Sequence, residues 1–173
     1  DFNTNYAMNG LFAKEWKGIY EVVIVNDGSK DDTYTKLQQH SFYKANTDKI
    51  TLVNQQNTGK GGALKNGVAH AKNSFVLTLD ADMATQPTEI LKWLALENNI
   101  LDTNTVYIGS RENRQSIIHS ETFKRKLAGN VFNVIVRTLT PLKVVDSQCG
   151  FKPNYKEGAH KLFGALQTNA WAP

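Results

Sequence analysis

Two carboxylates one residue apart, Asp80 and Asp82, close the apolar run Phe75–Leu79 in the segment FVLTLDADM. Side chains alternate along an extended strand, so positions i and i+2 leave the same face. The spacing therefore predicts that both carboxylates converge at the strand's carboxyl end, where open α/β sheets place their ligands. Paired carboxylates suit a hard divalent cation such as Mg²⁺, which bridges one or two of them to a substrate's phosphates. A solvated Asp-Ala-Asp turn is the plainer alternative for this triplet alone.

Other segments offer related chemistry. Asp27 ends the earlier β-branched run EVVIVN and opens the Asp27-Gly28 turn. In a parallel sheet its carboxylate would share an edge with Asp80 and Asp82, ready for a base or sugar hydroxyl. Asn57-Thr58-Gly59-Lys60-Gly61-Gly62 resembles a phosphate loop at a helix start but matches neither common glycine-rich phosphate pattern. Its amides can attract an anion, and its glycines equally allow close helix–sheet packing. Gly109-Ser110-Arg111 puts a guanidinium just past a strand end, and Arg125 follows on the next helix. Arginine forks suit diphosphates and stabilise a departing one.

The elements that must position these groups alternate between strand and helix. Strands are expected at 21–26, 50–53, 75–79, 106–108 and 143–145, from short β-branched or apolar runs. Helices are expected at 31–39, 59–72, 87–98, 121–139 and 156–166, from apolar residues at helical spacing. Asp31 or Asp32 serves as an N-cap, and Pro87 as a first helical residue. This alternation predicts an α/β domain with a mostly parallel sheet flanked by helices.

The bulk numbers are consistent with one domain over residues 1–173, 40% hydrophobic and 21% charged. A net charge of +4 is modest, and without basic runs or interleaved aromatics it does not favour nucleic acid. The single cysteine, Cys149, forms no internal disulfide. The four histidines, His40, His70, His119 and His160, lack metal-ligand spacing and read as surface or helix residues. No G-x-S-x-G occurs to support a hydrolase triad. No stretch reaches the ~18 apolar residues of a membrane span. The start without Met and the stop at Trp171-Ala172-Pro173 lead us to expect a fragment truncated at both ends.

In order, VIVNDGSKDDT, NTGKGGALKNG, LTLDADM, GSR and DSQCGFK resemble a family-2 glycosyltransferase of the GT-A fold. The pattern is most similar to the dolichyl-phosphate β-glucosyltransferase and mannosyltransferase branch and covers about residues 20–170. DSQCGFK is its more specific pointer to a polyprenyl-phosphate acceptor. The resemblance implies that Asp27 contacts the nucleotide base or ribose and that Asp80 lies near the ribose and diphosphate. It further implies that Asp82, with Asp80, binds Mg²⁺ or Mn²⁺. Arg111 and Arg125 would hold the diphosphate and the acceptor phosphate, with Asp146 and Gln148 on the acceptor side.

The implied reaction is an inverting hexose transfer from a nucleotide sugar to a polyprenyl phosphate at the cytoplasmic membrane face. The chain departs from the family pattern in places. Residues 1–20 do not supply the family's first strand, and Pro153-Asn154 stand where apolar residues usually follow DSQCGFK. Ala84 stands where some mannosyltransferases carry a metal-assisting glutamine, which favours UDP-glucose over GDP-mannose. Lys124, Arg125, Lys126 and Arg137 would face lipid headgroups if their helix lay on a membrane, or solvent if it is an amphipathic core helix. A glycan acceptor and a non-catalytic nucleotide-sugar-binding domain are the rival functions.

Overall fold

The computed structural model describes residues 20–82, 85–96, 102, 105–110, 138 and 149–166. Strand β1 is Val22–Asp27, followed by helices α1, Thr33–Gln39, and α2, Ser41–Ala45. Strand β2 is Ile50–Gln55, helix α3 is Gly59–His70, and strand β3 is Phe75–Thr78. Helix α4 is Glu89–Leu96, strand β4 is Lys152–Tyr155, and helix α5 is Lys156–Gly164.

The β-branched run of β1 pairs in parallel with β2, from Val22 opposite Ile50 to Asp27 opposite Gln55. The intervening helices make this a right-length crossover unit, as parallel pairing requires. Helix α3 then packs back on β1, where Gly67 lets it approach closely: a Cβ there would lie 3.3 Å from Val25 Cγ2. At the far end of the unit, Glu21 Oε1 accepts from the Lys72 and Asn73 amides at 2.6 and 2.7 Å. The start of β1 is thereby fastened to the end of α3.

Strand β3 lies between two apolar clusters, which explains its nearly uninterrupted hydrophobic run. Phe75, Leu77 and Leu79 pack against Ile90 of α4, Cys149 and Phe151. Val76 turns the other way, toward Val68 of α3 and Ala159 and Phe163 of α5. Trp93 meets Phe151 edge-on with ring centroids 5.2 Å apart, and Phe75 meets Tyr155 in the same manner at 5.7 Å. Such edge contacts add to the area that the rings bury.

The expected sheet is revised in one respect. Among the described residues, β1–β2 is parallel, but β3 pairs antiparallel with β4, in a separate two-stranded ladder. Sequence reading places no strand at Lys152–Tyr155, and Pro153 there cannot donate to a ladder. Here Pro153 is fully buried opposite Leu77, and burial of its ring outweighs the missing donor. Residues 105–110 carry no regular strand, against the expectation for 106–108. The Gly109 amide donates to the Phe151 carbonyl at 2.8 Å, and Thr105 and Tyr107 both bond to Asp102.

Smaller shifts occur at helix starts. Asp32 occupies the N-cap position of α1, but it is Asp31 Oδ1 that accepts the Thr33 amide, at 3.1 Å. Pro87 opens a tight turn of three-residue bonds, and α4 begins two residues later. The predicted helix 121–139 and strand 143–145 lie outside the described residues, apart from Thr138, which is helical. No helix among the described residues is long and apolar enough to cross a membrane.

Candidate functional site

The carboxyl ends of β1 and β3 flank the start of α3, and each presents a carboxylate to it. At the end of β1, Gly28 takes φ +69°, a left-handed conformation that favours glycine. A Cβ at Gly28 would lie 2.5 Å from the Asn57 amide nitrogen, so the turn is also sterically closed to larger residues. Asn26, buried, donates to Asn54 Oδ1 at 2.7 Å and accepts from the Ser29 hydroxyl. The NDGS turn is thus held by its own side chains.

That turn aims Asp27 at the first residues of α3. Its Oδ1 accepts from the Thr58 amide at 2.8 Å, the Gln55 side chain at 2.7 Å and the Thr58 hydroxyl at 3.2 Å. Its Oδ2 accepts from the Gly59 amide at 2.8 Å. Partial burial pushes the Asp27 carboxyl up, but the bonds from Thr58, Gln55 and Gly59 together outweigh it and hold the group below its ordinary 3.8. The anion expected at this glycine-rich helix start is therefore Asp27 itself. Oδ2 takes one bond among the described residues, which leaves it a further acceptor site.

At the end of β3, alternation carries Asp80 to the same side as Val76, toward α3. There Lys60 Nζ meets Asp80 Oδ1 at 2.8 Å, with the two side chains 38% and 41% exposed. The strand itself ends at Thr78, and Ala81-Asp82 form a turn in which Asp82 is exposed. Strand alternation thus accounts for Asp80 but not for Asp82, whose placement belongs to the turn.

Behind Asp80 runs the backbone of the segment containing Cys149 and Gly150. A Cβ on Gly150 would overlap the Asp80 carboxylate, so only glycine leaves this carboxylate its place. The contact is fixed by β3–β4 pairing and by the Thr78 hydroxyl, which lies 3.0 Å from the Gly150 carbonyl oxygen and 3.4 Å from that of Lys152. Gly109 packs on the same segment, where a Cβ would lie 2.9 Å from Cys149 Sγ. The residues just before Arg111 and just after Gln148 therefore meet beside Asp80.

The structure brings together Asp27, Asp80 and the start of α3. Arg111, Arg125, Asp146 and Gln148 lie outside the described residues. Sequence reasoning missed Lys60 as the partner of Asp80 and Gly150 as its backing. A lysine among helix-start glycines and a glycine inside DSQCGFK were the available signals. The surface-or-helix reading holds for the three described histidines: His40 Nδ1 accepts the Phe42 amide at the start of α2, His70 bonds to the Asn66 carbonyl, and His160 is exposed on α5.

Asp80 and Asp82 are the carboxylates that could hold a divalent cation. Among the described residues, no group of three or more His, Cys, Asp or Glu side chains is placed to hold a metal. A pair of carboxylates fits an ion whose remaining ligands come from substrate phosphates and water, the usual habit of Mg²⁺.

The chain is similar to known proteins over most of its length. The model of the family described as glycosyl transferase family 2 matches residues 7–162. The chain is 32% identical over 169 residues to a dolichyl-phosphate beta-glucosyltransferase of Dictyostelium discoideum, covering 95% of this chain and 51% of that protein. The human protein of the same name is 32% identical over 161 residues, covering 88% and 48% respectively. That of Saccharomyces cerevisiae is 32% identical over 176 residues, covering 92% and 52%. The chain spans about half the length of these curated relatives.

Proposed function

This chain belongs to glycosyl transferase family 2, and we propose that it forms the catalytic domain of an inverting hexosyltransferase with a polyprenyl phosphate as acceptor. The fold is α/β, and we infer the GT-A arrangement that membership of the family implies. UDP-glucose is the favoured donor and dolichyl or undecaprenyl phosphate the acceptor. The reaction is assigned to the cytoplasmic face of a membrane, where a soluble donor and a lipid phosphate can meet. The relatives' names support glucose and dolichyl phosphate, and Ala84 in DADMAT supports the glucose branch.

The observation that carries this reading is the contact between Asp80 and Gly150. It joins the strand-end carboxylate assigned to the donor with the DSQCGFK segment assigned to the acceptor. A transfer reaction needs those two substrates in line and a few ångströms apart.

In this mechanism Asp27 fixes the start of α3 and offers Oδ2 to the nucleotide. Asp80 and Asp82 would hold Mg²⁺ or Mn²⁺, which when bound supplies positive charge to the departing diphosphate. Arg111 and Arg125 hold the diphosphate and the acceptor phosphate. An acceptor phosphate oxygen attacks the anomeric carbon from the face opposite the leaving group. The new C–O bond forms as the bond to the nucleoside diphosphate breaks, and the electron pair departs with the diphosphate oxygen. The acceptor is already anionic near neutral pH, so the step needs no strong base.

The test uses membranes containing the intact protein, wild type beside Asp82→Ala, with labelled UDP-glucose or GDP-mannose and a polyprenyl phosphate. Divalent-ion-dependent label in the organic phase from UDP-glucose, lost in the variant, is the expected result. Label from GDP-mannose alone would reverse the donor. Expressed protein that labels no lipid but labels a glycan would reject the lipid acceptor.

A further inference from the structure

Asp80 is gripped unequally on its two oxygens. The carboxylate lies against Gly150, Oδ2 the nearer, where a Cβ would overlap it. Oδ1 faces Lys60 at 2.8 Å, and both side chains remain substantially solvated. Lys60 is the second residue of α3, directly after Gly59, whose amide is committed to Asp27. A solvated ion pair between flexible side chains contributes little to folding and opens readily. Its position nevertheless puts a full positive charge where a cation on Asp80 would sit.

We infer that Lys60 is a displaceable counter-ion for Asp80, holding the carboxylate in place until a divalent cation arrives and then moving off it. The inference rests on the reading of Asp80 and Asp82 as the metal carboxylates. It makes Lys60 a positioning residue. Its ammonium holds Asp80 oriented without a metal, and competes with the metal for Oδ1. Once displaced, the ammonium stands at the start of α3, beside the site proposed for the diphosphate. Arrival of the cation then frees a second positive charge for the same leaving group.

Competition has a direct signature. Mn²⁺ binding to the intact protein, without nucleotide, is followed by the electron paramagnetic resonance of the free ion. Removing a unit charge about 4 Å from a divalent ion is worth about thirtyfold in affinity at the dielectric of water, so even after screening by salt Lys60→Met and Lys60→Gln are expected to bind Mn²⁺ at least about fivefold tighter. Lys60→Arg keeps the charge and stays near wild type, while Asp80→Asn and Asp82→Asn weaken binding. Circular dichroism melts of the Lys60 variants should match wild type.

If Lys60→Met and Lys60→Gln bind Mn²⁺ no tighter than wild type while Asp80→Asn weakens it, the role of Lys60 is overturned and the metal carboxylates stand. Binding indifferent to both Asp80→Asn and Asp82→Asn would overturn the two together.

Discussion

The two strand ends that flank α3 carry the same functional group and treat it differently. Asp27 is bound by two backbone amides, an amide side chain and a hydroxyl, all from residues 55–59. Asp80 is held by a solvated lysine in front and a glycine backbone behind. Amides at a helix start cannot move without unwinding the helix, whereas an ammonium on a four-carbon stem can swing away. One carboxylate is therefore built into the fold, and the other is stored in a form that a ligand can claim. The same residue type at the same topological position can serve architecture or chemistry, and its partners decide which.

Filling the space behind Asp80 breaks the comparison most severely. Gly150→Ala pushes the carboxylate out of position, and a misplacement of ~1 Å costs on the order of 100-fold in rate. The expected outcome is a loss of that size in sugar transfer, measured in membranes of the intact protein. Near-normal transfer by Gly150→Ala would show that Asp80 does not need this backing.

Acid sharpens the contrast at the other strand end. The Asp27 carboxyl is held below its ordinary 3.8, so its contribution to stability is full above that value. It is lost as pH falls through the lower, folded value. Asp27→Asn replaces one acceptor oxygen with a donor against Gly59 or Thr58, a loss of about 1–2 kcal/mol near neutral pH. The gap between wild type and variant in urea melts should narrow as pH drops from about 5 to 3. A gap that widens on acidification would contradict the assignment.

The smallest effect is expected from a matched control. Lys36 and Asp32 form an ion pair at 3.0 Å on α1, with side chains 74% and 64% exposed. It resembles the Lys60–Asp80 pair in chemistry but lies on a solvated helix face. Lys36→Ala should change neither the melting temperature nor Mn²⁺ binding measurably. A clear change in metal affinity would mean that remote surface charge, rather than contact with Asp80, sets that affinity.

The parts of this site that could be read from sequence are the parts set by local rules. The run ending at Asp80, the Asp27-Gly28 turn and the helix from Gly59 follow from alternation, turn chemistry and helical spacing. Family resemblance sharpened the roles proposed for Asp27, Asp80 and Asp82, which the turn and the carboxylate pair had only outlined. What escaped was set by long-range packing. The Lys60–Asp80 pair joins residues 20 apart, and Gly150 meets Asp80 across 70 residues. Strand β4 escaped because Pro153 argues locally against a strand, while burial opposite Leu77 favours it. Asp82 is a partial case, since beyond Asp80 alternation gives way to a turn that the spacing does not reveal.

The most direct measurement sets Asp27→Asn beside Asp80→Asn in the intact protein and reads two quantities from each, melting temperature and metal-dependent glucose transfer to polyprenyl phosphate. The account predicts a lower melting temperature for Asp27→Asn, by about 2–4 °C per kcal/mol lost for a domain of this size. For Asp80→Asn it predicts a nearly unchanged melting temperature and a transfer rate reduced on the order of 100-fold. An Asp80→Asn protein that melts early yet transfers glucose at the wild-type rate would contradict it.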